Sequence, residues 1–369
     1  MRTLVLNAGS RTLKASLVEG GEAVARAEVD GSGAGLDTLV AQLGGERPLG
    51  GERPLDAVAH RIVHGGDRFT APVVADTGVI AALRDLVALA PLHMPPALAV
   101  LEAAMDRFPD VPHVCCFDTA FHATLPESEI RYPVPKAWST DWGIRRYGFH
   151  GLSVAWSVRC AAAMLGRPIE ELRMVVAHLG GGCSVTAVDR GRSVRTSMGY
   201  TPLEGLMMTT RSGSIDPGVL VRLLGDGRLT VAELSDALEH RSGLLGVSGV
   251  SADVRVVTAA ARLGDSGALL ALDMFARRTA AGIASAATAL PSLDAIVFTG
   301  GIGEHAGPLR EAIVARLGVL GVSPISEDES GDDRVLSAST DAVSVLRVTS
   351  REDLVMAEAS EPLVTRRDP

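Results

Sequence analysis

The sequence predicts an α/β protein built as two similarly constructed domains, and three observations carry that reading. Apolar runs of strand length alternate with longer stretches of helical spacing, the pattern of sheets covered by helices. The segment TLVLNAGSRTLKASLVEGG (3–21) aligns without gaps on MVVAHLGGGCSVTAVDRGR (174–192). Leu4 and Val5 fall on Val175 and Val176, Gly9 on Gly180, Leu17 on Val188 and Gly20 on Gly191, so each half holds a strand, a glycine turn and a second strand. At 369 residues the chain is also too long for one ordinary core.

Taken in order, residues 3–21 read as the first hairpin and DAVAHRIV (56–63) as a strand. GVIAALRDLVALA and PPALAVLEAAMDRF read as helices joined at PLHM, and VPHVCCFD as a further strand. Beyond the second hairpin, PGVLVRLLG, TVAELSDALEH and the stretch from Gly267 to Leu290 carry helical spacing, as VAWSVRCAAAML does before it. AIVF is a strand, TGGIGEH (299–305) a glycine-rich turn, and PLREAIVARLG a helix with Pro308 in its first turn. GGERPL occurs twice in succession at 44–55. Six residues of glycine, proline and charge make no packing unit, so this reads as a surface-loop expansion.

Composition removes several classes. Hydrophobic residues make up 47% and charged residues 21%, which indicates a well-buried globular protein; at 4% aromatic, its cores must use Ala, Val and Leu. A net charge of −9 argues against a nucleic-acid partner, because phosphate backbones are bound through clustered Lys and Arg. The first apolar run, in MRTLVLNAGSRTLK, is too short for a secretory segment. The most apolar helical stretch is broken by Asp273, Arg277 and Arg278, so it reads as a core helix and no membrane partner is expected. Cys115 and Cys116 are adjacent on a strand and point to opposite faces, and with Cys160 and Cys183 they form no zinc spacing. Free thiols in a reducing cytoplasm are expected.

The chemistry-bearing residues cluster around glycines. HLGGGCSV (178–185) is either a tight hairpin or a phosphate cradle, since glycine permits both φ > 0 and the close approach of a ligand. Three glycine turns at strand ends, two of them in the duplicated hairpin, point to a nucleotide lying between two domains. Arg61, inside an otherwise apolar strand, is an edge-strand or salt-bridged residue if structural, and Arg211 in the turn-rich GLMMTTRSGSIDPG is, taken alone, structural or solvent-facing. Together, in an acidic protein, they are candidates for a fork that grips carboxylate or phosphate oxygens. Asp118 and His122 in CFDTAFH end a buried strand, where ligands bind in α/β folds, with a helix N-cap as the competing reading. His150 and His178 both adjoin glycines, and Lys14 is a phosphate ligand or a surface residue. No metal cage is apparent: His60 and His64 lie on a strand, where a spacing of four does not bring them together as on a helix. Magnesium needs few protein carboxylates, and Glu352 and Asp118 are available to it.

NAGSRTLK (7–14), HRIVHGG (60–66), LAPLH (89–93), FDTAFH (117–122), RRYGFHG (145–151), HLGGGCS (178–184), TPLEGLMMTTRSGSIDP (201–217) and TGGIGE (299–304) resemble, in the same order and across nearly the whole chain, the acetate kinase family. The resemblance implies two similar RNase H-like (actin-like ATPase) domains, 1–122 with a returning helix at 354–369, and 123–353, with ATP in the cleft between them. It implies reversible transfer, ATP + acetate to ADP + acetyl phosphate, with Mg²⁺ or Mn²⁺, by a cytoplasmic homodimer. Arg61 and Arg211 would hold the carboxylate and the transferred phosphoryl group, His150 would donate to that group in the transition state, and Val63, Leu92 and Pro202 would surround the methyl group. Asn7, Ser10 and Lys14 would form the first phosphate-facing hairpin, with Asn7, Glu352 and Asp118 near the metal. His178, Leu179, Gly180, Gly181 and Gly182 would form the second. Asp253, Val254 and Arg255 would contact adenosine, and Gly300, Gly301, Ile302, Gly303 and Glu304 would line the base and ribose. The chain departs from the family where Gly181 replaces a usual Asn, at Arg11 and Thr12 where serines are usual, and at Met94 and His305 where Asn is usual.

A carboxylate substrate also fits the charges these residues carry. Sugar kinases need an aspartate base to deprotonate a hydroxyl, whereas a carboxylate is already ionised at neutral pH. An anion attacking an anionic phosphoryl group needs charge neutralisation instead, which two arginines, a histidine and a divalent cation supply. Propionate or butyrate kinase on the same fold is the near alternative. A nucleotide switch resembling actin or a heat-shock chaperone is the distant one, and it has no need of the arginine pair.

Overall fold

The computed structural model describes residues 1–9, 12–30, 35–44, 54–326 and 332–365. Ser10, Arg11 and most of the GGERPL duplication lie outside the described residues. The chain divides into two units, Met1–Ala123 with Arg351–Pro369, and Thr124–Ser350.

In the first unit the apolar alternation of residues 2–19 produces an antiparallel hairpin. β1 (Arg2–Ala8) pairs with β2 (Thr12–Glu19), Leu4 opposite Leu17 and Leu6 opposite Ala15. β3 (Glu22–Asp30) adds antiparallel to β2 as an edge whose exposure alternates residue by residue. On the other side of β1, β4 (Ala57–Ile62) and then β6 (His113–Phe117) run parallel, and the two-residue β5 (Val73–Val74) closes the far edge antiparallel. Parallel neighbours require crossovers, and helices Leu36–Gly44, Thr77–Asp85 and Met94–Arg107 lie along these connections. Leu4, Leu6, Leu13, Val58, Ile62 and Phe117 share one core with Leu39, Leu83, Leu98 and Leu101 of those helices. Val5 and Ala59 point to the opposite face, where the returning helix Glu352–Val364 packs through Leu354, Met356 and Ala357.

The second unit repeats the topology. β7 (Arg173–Leu179), β8 (Cys183–Asp189) and β9 (Arg192–Thr196) form an antiparallel series. β10 (Ala295–Thr299) and β12 (Ser344–Arg347) run parallel beside β7, and β11 (Arg334–Val335) closes the edge antiparallel. The strand orders β3-β2-β1-β4-β6-β5 and β9-β8-β7-β10-β12-β11 correspond strand for strand in direction and position. Both are RNase H-like sheets, and the aligned segments found in the sequence are the first two strands of each. The long helix Ser266–Ala287 packs on β7 and β8, burying Ala271, Phe275 and Ile283.

Two elements differ from the sequence reading. The helix expected over 78–90 ends at Asp85, and Val87–Leu89 forms a 3₁₀ turn. Pro91 disfavours helical backbone at Ala90, which sits at φ −148°, ψ 67°, so the last turn tightens and stops. TGGIGEH is not a turn but a short helix, Gly300–His305, followed by helix Gly307–Val314 with Pro308 in its first turn. Gly300, at φ +78°, lets the chain reverse off β10, and a Cβ there would meet the Leu179 carbonyl at 2.8 Å. Packing against the β7 end thus overrides the poor helix propensity of glycine. Among the described residues no helix is long and apolar enough to cross a membrane.

Candidate active site

In the first unit a charged cluster forms around Arg61. Its strand, β4, lies between β1 and β6, so Arg61 is not at an edge; it is the salt-bridged residue of the two structural readings. Arg61 Nε donates to Asp118 Oδ1 at 3.0 Å and Nη2 to Oδ2 at 2.5 Å, a fork on a carboxylate whose side chain is 1% exposed. Nη1 donates to Asn7 Oδ1 at 3.1 Å, and Asn7 Nδ2 donates to Glu352 Oε2 at 3.3 Å. Glu352 also lies 3.7 Å from Arg61 Nε. Burial alone would lower the Arg61 pKa, but Asp118 and Glu352 outweigh it and raise the pKa above its ordinary value. Asp118 therefore serves Arg61 with both oxygens. The nearby backbone donor of Gly65 goes instead to Thr119 Oγ1 at 3.0 Å.

The fold explains this meeting. Asn7 and Arg61 occupy the sheet face on which the returning helix packs, and Glu352 opens that helix. Asp118 follows β6 directly, its N–H bonded to the Ile62 carbonyl at 3.0 Å. Lys14 is the cross-strand partner of Asn7, with its exposed ammonium 3.6 Å from Glu28. Val63 is buried just past β4, while Leu92 is exposed in the turn before helix Met94–Arg107.

In the second unit the histidines and glycines converge. Leu179 pairs with Cys183, leaving Gly180, Gly181 and Gly182 as the tip of the β7–β8 hairpin, closed by Gly180 N–H to Gly182 O at 3.0 Å. Thr209 Oγ1 donates to Gly181 O at 3.1 Å and ties the tip to the loop that carries Arg211. The His150 and His178 rings stack at 4.1 Å. A buried serine holds the Nδ1 of each ring: Ser184 Oγ lies 2.9 Å from His150 Nδ1, and Ser153 Oγ 2.8 Å from His178 Nδ1. His150 takes φ +61°, a left-handed backbone that costs a residue other than glycine roughly 1–3 kcal/mol, at the entrance of helix Gly151–Leu165.

Arg211 is anchored from one side by Glu239, with Nε 2.9 Å from Oε2. Its Nη1 and the His150 Nε2 both approach Gly182, 3.4 and 3.2 Å from where a Cβ would stand. The His178 Nε2 faces the glycines too, 3.1 Å from a Cβ position at Gly300 and 3.7 Å from one at Gly180. Glu304 is buried and accepts the Ser350 N–H at 2.9 Å, tying helix Gly300–His305 to the segment after β12. Asp253 caps helix Val254–Arg262; side-chain and backbone hydrogen bonds from Arg255 hold its carboxyl down at about 2. Pro202 is half-buried in the loop after β9. Burial pushes the Cys183 thiol up to about 12, so this cysteine beside the glycines is inert.

Thus the first unit brings together Asn7, Arg61, Asp118 and Glu352, and the second His150, His178, the hairpin glycines and Arg211. Sequence reasoning missed Ser153, Ser184 and Glu239. The hairpin register places Ser184 opposite His178, but the ring it holds is that of His150, which the register does not show. Glu239 gave no signal, since it reads as the polar end of an amphipathic helix.

Fold and site define a class: a protein of two RNase H-like units of matching sheet topology, furnished with arginines, histidines and bare backbone, the groups that handle phosphoryl anions. The chain belongs to the acetokinase family, whose model matches residues 11–358. It is 47% identical to the acetate kinase of Deinococcus deserti over 341 residues, covering 91% of this chain and 84% of that protein. The acetate kinase of Deinococcus radiodurans is 43% identical over 395 residues, covering 100% and 99%. Among solved structures, the Porphyromonas gingivalis acetate kinase superposes with a TM-score of 0.90 at 32% identity, over 98% of this chain and 99% of that one. A propionate kinase from Francisella tularensis gives 0.88 at 33%, over 97% and 98%. The fold therefore does not separate the two acyl chain lengths.

Proposed function

We propose that this chain is an acetate kinase, catalysing ATP + acetate to ADP + acetyl phosphate reversibly and by direct in-line transfer. The observation that carries this reading is the engagement of both Asp118 oxygens by Arg61. A carboxylate spent as a counter-ion is a poor general base, and a carboxylate substrate needs none. In this reading Arg61 and Arg211 bind the acyl and phosphoryl oxygens, and His150 donates to the phosphoryl group as charge builds in the transition state. Val63, Leu92 and Pro202 face the methyl group. Lys14, His178 to Gly182, Asp253 to Arg255 and Gly300 to Glu304 serve the nucleotide.

Asn7 and Glu352 fit a divalent cation that keeps most of its shell as water and phosphate oxygen. Glu352 supplies a hard carboxylate and Asn7 a neighbouring amide, whose Nδ2 donates to Glu352 Oε2 and whose Oδ1 accepts from Arg61, and among the described residues no group of three His, Cys, Asp or Glu could hold an ion by itself. Mg²⁺ or Mn²⁺ bound there with ATP would neutralise phosphate charge. We extend the reading to a cytoplasmic homodimer; free cysteines among the described residues are in keeping with a reducing compartment. The test is Mg²⁺-dependent ADP formation with and without acetate. Turnover should depend on acetate and invert a chiral phosphoryl group. Hydrolysis indifferent to acetate would favour the nucleotide-switch alternative, and retention of configuration would overturn direct transfer.

A further inference from the structure

We propose that Glu239 is a positioning residue for Arg211, holding the guanidinium along its Nε edge so that its Nη1 end is directed to the face of Gly182. This rests on the phosphoryl-transfer reading above. Glu239 stands at the end of helix Val231–His240, and its main chain and side chain both engage the Arg211 loop. Its carbonyl accepts from Thr210 Oγ1 at 2.8 Å, while Oε2 lies 2.9 Å from Arg211 Nε. The neighbouring Ser242 N–H also bonds the Thr210 carbonyl at 2.8 Å. Both partners of the ion pair are more than four-fifths buried, with side chains 18% and 17% exposed. Such a pair has defined geometry, unlike a solvated surface pair.

A carboxylate against the arginine of an anion site looks like a defect, because it lowers the positive charge available to the substrate. Its value lies in orientation. An arginine left free would bind anions at least as well in the ground state but would sample several rotamers, and the reaction depends on its alignment in the transition state. Glu239 thereby exchanges ground-state anion affinity for alignment. This signature differs from a merely structural role, which would weaken binding and turnover together.

The experiment compares wild type with E239Q and E239D for acetyl phosphate formation, kcat and KM, inhibition by inorganic phosphate, and thermal melting. With wild type active, E239Q should lose tenfold or more in kcat without a rise in KM for acetate, bind phosphate several-fold more tightly, and melt near the wild-type temperature. E239D should recover part of kcat. A kcat within twofold of wild type, or a parallel loss of kcat, KM and melting temperature in both variants, would overturn the assignment. Should the wild type form no acetyl phosphate, the functional reading falls, and phosphate titration by calorimetry decides Glu239 alone. Tighter binding in E239Q then upholds the assignment, and unchanged binding removes it.

Discussion

His150 Nε2 and Arg211 Nη1 approach the same bare face of Gly182, 3.2 and 3.4 Å from the position of its missing Cβ. A methyl group there displaces both donors by a few tenths of an ångström, and its backbone conformation does not need glycine. Gly182→Ala should therefore fold normally but lose about tenfold or more in kcat, since catalytic alignment tolerates little displacement. Steady-state kinetics beside a thermal melt checks this; an unchanged kcat would show that the two donors do not act at this point.

Gly181 has the opposite character, with nothing within 4 Å of its Cβ position. The family resemblance implies Asn as the usual residue there, and the open space should let Gly181→Asn be accommodated and add one side-chain contact to the nucleotide phosphates. One hydrogen bond is worth about 1 kcal/mol, so KM for ATP should fall about fivefold. An unchanged or higher KM speaks against the hairpin as a phosphate cradle.

In the proposed reading, acyl selectivity rests on small apolar differences around the methyl group. Val63 is buried just beyond the strand that carries Arg61. Trimming it by Val63→Ala opens room for one more methylene, a change worth roughly 1–3 kcal/mol in a hydrophobic pocket. The ratio of kcat/KM for propionate over acetate should rise about tenfold. A ratio that stays put or falls would take Val63 out of the methyl pocket.

Three buried histidines of the first unit predict acid sensitivity. Burial holds His64 down at about 4 and lowers His113; His60 is lowered well below the ordinary value by burial and then by His113, whose Nδ1 lies 3.0 Å from its Nε2. The unfolded chain takes up these protons near pH 6.5 but folded His64 only near 4, so between those values the unfolded state binds more protons. Stability is thus complete above about pH 6.5 and drains as pH falls toward 4, by on the order of 3 kcal/mol for His64 alone. His64→Asn keeps an acceptor for the Gly66 N–H, which now bonds Nδ1 at 2.9 Å. Denaturant melts from pH 7 to 4.5 should be flatter for the variant, and equal slopes would contradict the attribution.

Much of this architecture is legible in the residues. Strand alternation and glycine spacing identify both hairpins, because local chemistry dictates them. The long-range meetings are not written locally. Arg61 stands visibly inside an apolar strand, but its central place in the sheet and its fork to Asp118 depend on how parallel strands are ordered. RRYGFHG shows a histidine beside glycines, yet left-handed backbone falls on His150 as well as on Gly148, and the His150 ring is anchored to Ser184 and stacked on His178. GGIGE reads as a turn from propensity and becomes a helix through packing against Leu179.

The most direct measurement is hydroxylamine trapping of acyl phosphate formed from ATP, Mg²⁺ and acetate, propionate or butyrate, with Arg211→Ala alongside. Strong acetate-dependent product from the wild type, weaker with the longer acids and lost by a hundredfold or more in the variant, is the predicted result. ATP turnover that ignores every carboxylate and is unchanged in Arg211→Ala would contradict it.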